Sequence, residues 1–471
     1  MKKIELITKT LVAVYLLLSV VSCLDTDKEP GIEENQNLLD NANIESKAPI
    51  TPTEKGQVSI TGGLKTGRFD QFAINDQGDL INLAVSAIYS ISNRHLEDPT
   101  DYATRFKFNK ISSNLTLSEN LIEIPVTDQE IIPQEVLTDK MAYAGVLRKS
   151  ITGKMIVDHE GMYFFDPLSL QYISYLSESK KDFGLLWNNI STAQHSFIEE
   201  SEGTYLYFGT SNADLKRSRV HQMKAMPDGS LQPQWMLSAS LGQTWHQMSD
   251  QTSAYIYDII PRDDGSYFLV GEIHLGKYAV EDAGTQSGSL TYNIIEPYVA
   301  LVDEAQDIIW QKKMAFLPSK NRSNDRLQKV VRTPSGEFLL FGATGANQEA
   351  DASFSGLELY SILMSENGNI LKTTIYKGTR DGLGDAIRII GNNSPNLAPA
   401  GNLIQRVTAF SEGIVLDTHY HQLRLSHQGE LISIFTHNPD NVASYTIPLD
   451  YNTTYHIQAA GGTHTVKVMN Y

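Results

Sequence analysis

The chain has 471 residues and a single cysteine, so no internal disulfide can form and no cysteine-built zinc or iron–sulfur site can be assembled. It also has no long hydrophobic stretch near its start. The uncharged run LVAVYLLLSVV covers Leu11 to Val21. At ~1.5 Å per residue it spans about 16 Å, half of a ~30 Å hydrocarbon core, which is too short for a stable membrane-spanning helix. Basic residues are the minority, 38 against 55 acidic, for a net charge of −17. That balance argues against nucleic acid or an anionic membrane surface as the main partner. Catalytic signatures are missing as well. There is no glycine-rich phosphate loop, no Gly-x-Ser-x-Gly elbow, no His-Glu-x-x-His and no Ser-x-Asp-x-Gly-x-Thr-Trp box. No motif implies a cofactor. With 41% hydrophobic residues, however, the chain has ample material for a core, which excludes a disordered protein.

The N-terminus carries an address. Lys2, Lys3 and Lys9 precede the short apolar run, and small residues follow it in Val20-Val21-Ser22-Cys23. A basic start, a short apolar stretch and a small-residue cut site form a secretory signal. The lone cysteine falls at the cut, and the pattern resembles the bacterial lipobox, in which cysteine is acylated and becomes the mature N-terminus. Residues 1–22 are therefore expected to be a lipoprotein signal peptide and Cys23 the lipid attachment site. Asp25, Asp27 and Glu29 follow, similar to the export signal of Bacteroidota surface lipoproteins. That resemblance implies an outer-membrane lipoprotein facing the cell exterior. Residues 23–57 are acidic and hold Pro30, Pro49 and Pro52 without sustained periodicity, which predicts a flexible tether.

From residue 58 to 471 short apolar runs alternate with Gly, Asn, Asp and Pro, the pattern of strands and turns. Internal similarity organises them. RDDGSYFLVG, ending at Gly271, matches TPSGEFLLFG, ending at Gly342, at a spacing of 71 residues. EESEGTYLYFG puts Gly203 and Gly209 at the same two positions. Weaker copies surround Gly78, Gly161 and Gly413. A second hairpin follows the clearer copies, as in ALVDEAQDIIWQKK, SILMSENGNILKTT and LRLSHQGELISIF. Each unit is thus four antiparallel strands in roughly 60 to 75 residues. Tyr267-Phe268-Leu269-Val270 does not alternate with polar residues, so both faces of that strand are expected to be buried. Stacked propeller blades provide that environment, whereas a sandwich leaves one face wet. The terminal YHIQAAGGTHTVKVMNY adds a hairpin around Gly461 and Gly462, expected to pair with a strand near Val58 to Ile60 and close the ring. The expectation is an all-β protein with one β-propeller of seven four-stranded blades, with six or eight as alternatives.

The Asp-Gly-x-[YF]-x-[LV]-x-Gly strand followed by V-x-Leu-Val-Asp…Trp resembles the divergent β-propeller repeats of lipid-anchored Bacteroidota proteins. The resemblance implies a fold and no particular activity. Chemistry-bearing residues are sparse. On a continuous strand, Asp417, His419 and His421 would share one face, a weak metal candidate against exposed turn residues. Asp263-Asp264 and Glu199-Glu200 read as solvated turn acids. Trp187, Trp235 and Trp310 read as core aromatics. The a–b and c–d turns are uniformly tight, whereas the b–c and d–a connections are long: Ser86 to Ala103, Glu272 to Glu296, Ala343 to Gly356 and Asp385 to Asn402. Trp245, His246, His274, Tyr278, Tyr292 and Arg94 lie in or beside them and are the binding candidates. Two functions remain: a non-catalytic binding or scaffold module for a glycan, peptide or outer-membrane protein, or a polysaccharide-degrading enzyme with carboxylates gathered at the central channel.

Cys23→Ala is expected to release the protein from the outer-membrane fraction, because acyl chains anchor by burying ~0.8 kcal/mol per CH₂. Unchanged fractionation, with no acyl mass lost, contradicts the assignment.

Overall fold

The computed structural model describes residues 33–38, 42–61, 71–90, 102–125, 146–158, 162–178, 195–210, 218–226, 230–237, 253–280, 290–305, 307–316, 325–344, 358–379, 404–418, 420–437, 443–460 and 463–471. These residues contain strands and no helix. Three strands precede the repeats: β1 (Glu33–Asn37), β2 (Ala42–Glu45) and β3 (Thr53–Thr61). Blade 1 is β4 (Phe72–Ile74), β5 (Leu80–Ser90), β6 (Tyr102–Ile111) and β7 (Leu117–Pro125). Blade 2 is β8 (Val146–Lys149), β9 (Met155–Asp158), β10 (Met162–Phe165) and β11 (Tyr172–Glu178). Blade 3 is β12 (His195–Ser201), β13 (Thr204–Thr210), β14 (Ser218–Ala225) and β15 (Ser230–Leu237). Blade 4 is β16 (Ser253–Pro261), β17 (Tyr267–Val280), β18 (Leu290–Val302) and β19 (Ile308–Ala315). Blade 5 is β20 (Arg326–Arg332), β21 (Phe338–Thr344), β22 (Glu358–Met364) and β23 (Ile370–Tyr376). Blade 6 is β24 (Ile404–Ala409), β25 (Ile414–Thr418), β26 (His421–Leu425) and β27 (Leu431–Thr436). Blade 7 is β28 (Ala443–Pro448), β29 (Thr453–Ala460) and β30 (Thr463–Asn470), completed by β3. The seven-bladed propeller expected from the repeats is the fold.

Closure is antiparallel pairing between the two ends of the chain. Val58 faces Val466 and Ile60 faces His464 across β3 and β30. The segment expected to be a free tether is partly built into the ring. β1 adds to β19 in parallel, with Glu33 opposite Lys312 and Asn37 opposite Ala315. β2 adds to β23 in parallel, from Ala42 opposite Thr373 to Glu45 opposite Tyr376. The Ile50 amide then donates to the Ile434 carbonyl of blade 6 (2.8 Å) before β3 enters blade 7. These segments cap outer strand edges whose backbone groups would otherwise face water.

The core lies between blades. Apolar clusters fill the interfaces of blades 1 and 2 (Phe106, Phe108, Phe165), 2 and 3 (Phe164, Tyr205), and 3 and 4 (Leu206, Leu269). Others fill the interfaces of blades 4 and 5 (Phe268, Phe338), 5 and 6 (Phe341, Leu416), and 7 and 1 (Tyr455, Phe72). Tyr267, Phe268, Leu269 and Val270 are all buried, because alternate residues enter clusters on opposite sides of blade 4. Phe268 stacks on Phe338 at 4.0 Å, and half-buried Trp310 meets its edge.

Repeated glycines set the a–b turns. In blade 4 the Gly265 amide donates to the Arg262 carbonyl, the Arg262 amide donates to the Ser266 carbonyl, and Gly265 has φ 81°. Blade 5 repeats this with Thr333, Gly336 (φ 98°) and Glu337. The left-handed backbone there suits glycine and strains a β-branched residue. Blade 2 departs from the expected alignment. Gly161 falls between β9 and β10, and the equivalent a–b turn is Ser150 to Lys154 with Gly153. Met155–Asp158 and Met162–Phe165 are four-residue strands, so a second glycine, Gly161, follows Gly153 after only eight residues.

Gly265→Val and Gly336→Val should each cost on the order of 1–3 kcal/mol of stability. An unchanged melting temperature in both variants would reject the equivalence of the two hairpins.

Candidate functional site

The Asp417, His419, His421 candidate does not assemble as expected. The strand ends at Thr418, and a tight turn begins β26 at His421, held by the His421 amide donating to Thr418 Oγ1 (2.9 Å). Asp417 is the register partner of Gln422, which donates to it at 2.7 Å. His421 is one position away and faces the other side of the sheet, 3.1 Å from Thr436 Oγ1. His419 lies outside the described residues, as do Cys23, Arg94, Trp187, Trp245 and His246.

Asp417 belongs instead to the interface between blades 6 and 7, the blade interface that shows no apolar cluster among the described residues. Its Oδ1 accepts bonds from Gln422 and from Thr446 Oγ1 (2.5 Å) of the facing blade, and its buried Oδ2 has no hydrogen-bond partner. Loss of hydration pushes its pKa up to about 6, against the hydrogen bonds of Thr446 and Gln422 and the charges of Arg406 and Arg424. Arg424 donates to the Tyr451 carbonyl (2.6 Å) and to Gln422 Oε1 (3.0 Å), and its guanidinium lies 3.2 Å from the centre of the Tyr471 ring. The last residue of the chain thus seals the seam.

Ser444 lies in the same seam between two imidazoles. Its Oγ is 3.1 Å from His437 Nδ1 and 2.7 Å from His456 Nε2. His437 Nε2 is 3.1 Å from the Thr418 carbonyl, so in a neutral ring that nitrogen carries the proton. Ser444 then donates to His437 and accepts from His456. All three residues are buried. Burial lowers the His456 pKa to about 4, helped by the Lys467 charge and opposed by Glu54. His464 is on the opposite side of blade 7, edge-on to Phe72. A sequence signal for this seam existed: β28 alternates Ser444 and Thr446, which take part in the seam, with Tyr445 and Ile447, which enter the apolar cluster against blade 1.

The inner strands carry a second set of polar groups. Tyr257, Gln328 and Gln405 occupy matching bulges in β16, β20 and β24, and are followed by Asp258, Lys329 and Arg406. Asp258 Oδ2 accepts from the Val330 amide (3.1 Å), Gln328 Oε1 from the Ile404 amide (3.2 Å), and Arg406 donates to the Phe72 carbonyl (3.2 Å). Asp258 and Gln328 thus satisfy amides on the inner strand of the next blade, and Arg406 reaches past blade 7 to a carbonyl of blade 1. Other buried carboxylates are also engaged: Glu272 by Arg326 (2.6 Å) and Tyr257, Glu296 by Lys313 (3.2 Å), and Asp325 by Thr344 and the Phe316 amide.

The connections expected to be long loops are, in two blades, long hairpins. In blade 4 the last inner-strand pair is Ser253 with His274, yet β17 and β18 remain paired to Val280 and Leu290. Tyr278 and Tyr292 are direct register partners on this ribbon. In blade 1 the inner strand pairs only as far as Asn82, while β5 and β6 continue to Ser90 and Tyr102. Residues 345–357 and 380–403, which hold most of the other two connections, are outside the described set. The turns of the opposite face are short and tied by ion pairs, including Arg332 with Asp263 (3.1 Å) and Glu366 (2.9 Å).

No protein-family model matches the chain, and no curated protein matches it in sequence. Among solved structures, it is similar to a Bacteroides caccae protein of unknown function, at 8% identity over 64% of this chain and 80% of that one (TM-score 0.33). It is also similar to BBS1N, solved in complex with ARL6DN, at 7% identity over 90% and 98% (TM-score 0.40). A third is the plexin A4 extracellular region, at 10% identity over 88% of this chain and 47% of that one (TM-score 0.44).

The two titrations in the seam oppose each other. The raised Asp417 pKa contributes stability that is present below its ordinary value of 3.8 and lost as pH rises through about 6. The lowered His456 pKa contributes stability that is present above 6.5 and lost as pH falls towards about 4. Asp417→Asn removes the first effect. Its stability relative to wild type should rise by on the order of 2 kcal/mol between pH 4 and pH 7, measured by denaturant unfolding. A difference that does not change with pH would contradict the buried, proton-holding carboxylate.

Proposed function

We propose that the protein is a lipid-anchored outer-membrane lipoprotein, facing the cell exterior, whose propeller is a non-catalytic binding module for a glycan, peptide or outer-membrane protein. The address rests on the lipobox ending in Cys23 and the acidic residues behind it. The observation that carries the binding reading is the asymmetry of the two propeller faces. One has short turns, most of them five residues, locked by hydrogen bonds and ion pairs, and the other extends paired hairpins of blades 1 and 4 well past the inner strands. A scaffold gains nothing from such extensions, whereas a preformed ribbon offers contact area with little ordering cost on binding. The buried carboxylates support the same reading, since those of Glu272, Glu296, Asp325 and Asp417 are each engaged by arginine, lysine, hydroxyl, amide or backbone partners.

The register sets the test. Gly276 pairs with Ile294, so residues 277–293 can be replaced by a short Gly-Ser turn without touching Glu272 or Glu296. The trimmed protein should keep its melting temperature and lose the partner retained by the intact protein in affinity purification from its own membrane. Unaltered retention of that partner would move the binding surface elsewhere.

A further inference from the structure

The inner strands line the central channel, and their charges are unevenly distributed. Three of their cations are held in ion pairs: Lys149 with Asp76, Arg326 with Glu272 (2.6 Å) and Arg332 with Asp263 (3.1 Å). Three others, Arg148 of β8, Lys329 of β20 and Arg406 of β24, are half-buried, each directly after a buried residue of its strand. Asp258 of β16 is half-buried in the same way, after Tyr257. Solvent in the channel therefore reaches these four side chains in an otherwise packed wall. Asp258, Lys329 and Arg406 each follow the bulge of their strand, and they are 71 and then 77 residues apart, so the blade repeat sets them at one level. Arg148 lies two residues before its a–b turn at Ser150, whereas Asp258 lies four before Arg262, an offset of about 7 Å that a long side chain covers.

These groups act on one another across blades. Arg406 passes blade 7 to reach the Phe72 carbonyl of blade 1 (3.2 Å), and Asp258 accepts from the Val330 amide beside Lys329 (3.1 Å). Burial raises the Asp258 pKa, and the charges of Lys329 on blade 5 and Arg148 on blade 2 both oppose the rise. Lys329 makes no hydrogen bond or ion pair among the described residues. The other inner-strand acids among those residues, Glu199 and Glu200, lie at the turn end of β12. They are engaged by the Ile151 amide (2.7 Å) and by Tyr267 (2.6 Å) and Gln222 (2.6 Å). Even with Asp258 ionised, three cations face one carboxylate, inside a chain whose net charge is −17. Like charges gathered in a partly desolvated space repel, and an anion placed among them offsets that cost.

We propose that the central channel is an oxyanion-binding site, in which Arg148, Lys329 and Arg406 take a carboxylate or phosphate group on a ligand slender enough to enter it. Guanidinium groups donate in a planar fork that matches two oxygens of such a group, and the Lys329 ammonium adds a point charge. Arg406 is already fixed by its bond to Phe72, so little ordering is needed on binding. The site lies inside the ring, apart from the β17–β18 ribbon, and does not depend on the ribbon being a binding surface.

The test is calorimetric titration of the purified full chain with galacturonate, inorganic phosphate and, as the uncharged control, galactose. At least one of the anions should bind, and galactose should not. Binding of galacturonate alone assigns the site to carboxylate-bearing ligands, and binding of phosphate alone assigns it to phosphate-bearing ones. Lys329→Gln should weaken the anion about ten-fold, the loss of one charge-assisted contact, and Arg148→Gln should do the same from blade 2. Lys329→Arg should retain most of the affinity, and Lys149→Gln, in an ion pair at the rim, should leave it unchanged. Replacing residues 277–293 as above should also leave it unchanged. Failure of both anions to bind would overturn the site, as would affinities in Lys329→Gln and Arg148→Gln equal to wild type. Anion binding that disappears with residues 277–293 would place the ligand on the ribbon and overturn the channel assignment.

Discussion

Everything in this protein depends on one non-covalent joint, the pairing of β3 with β30. A ring of sheets packs each blade against two neighbours, so its interfaces exist only while the ring stays closed. Pairing the first full-length strand with the last makes closure a property of distant chain ends, and loop-closure entropy opposes it. The protein offsets that cost by extending the N-terminal contribution beyond one strand. Residues 33–37, 42–45 and Ile50 lie on blades 4, 5 and 6 before β3 completes blade 7, so detaching β3 also strains a series of edge pairings.

The seven blade interfaces are not equivalent. Six hold an apolar cluster among the described residues. The seventh, between blades 6 and 7, gathers Asp417, Arg424, Ser444, His437 and His456 beside the Phe435 ring. Buried polar networks are specific but costly when incomplete, and Asp417 Oδ2 is an atom without a hydrogen-bond partner. This joint adjoins the closing blade, so its protonation state acts on the same element that holds the ring together.

The architecture was legible because propeller blades are nearly repeated in sequence. The 71-residue spacing of Gly265 and Gly336 reflects matching turns, and even the inner-strand bulges keep it, from Asp258 to Lys329. The doubly buried Tyr267 to Val270 strand discriminated a propeller from a sandwich on physical grounds. The belt was not legible. Residues 33–37 and 42–45 have the polar composition of a linker, and they are strands because edges of blades 4 and 5 supply the missing hydrogen bonds. The seam was hidden for a related reason. Asp417 and Thr446 meet across 29 residues and two blades, and a turn at Thr418 broke the strand on which the metal candidate depended. The ribbon was mistaken for a loop because its charged and glycine-containing sequence lacks strand alternation, although thirteen or more residues of each strand pair regularly.

The most direct test of the ring-closure account is amide hydrogen exchange in the native protein, resolved to segments. The account predicts that amides of Thr53–Thr61 are protected to the same degree as those of Thr463–Asn470, and that residues 33–37 and 42–45 exchange measurably slower than an unstructured tail. Exchange of residues 33–61 at the rate of a free peptide, with blades 4 and 5 still protected, would show that the ring closes without its belt and would contradict the account.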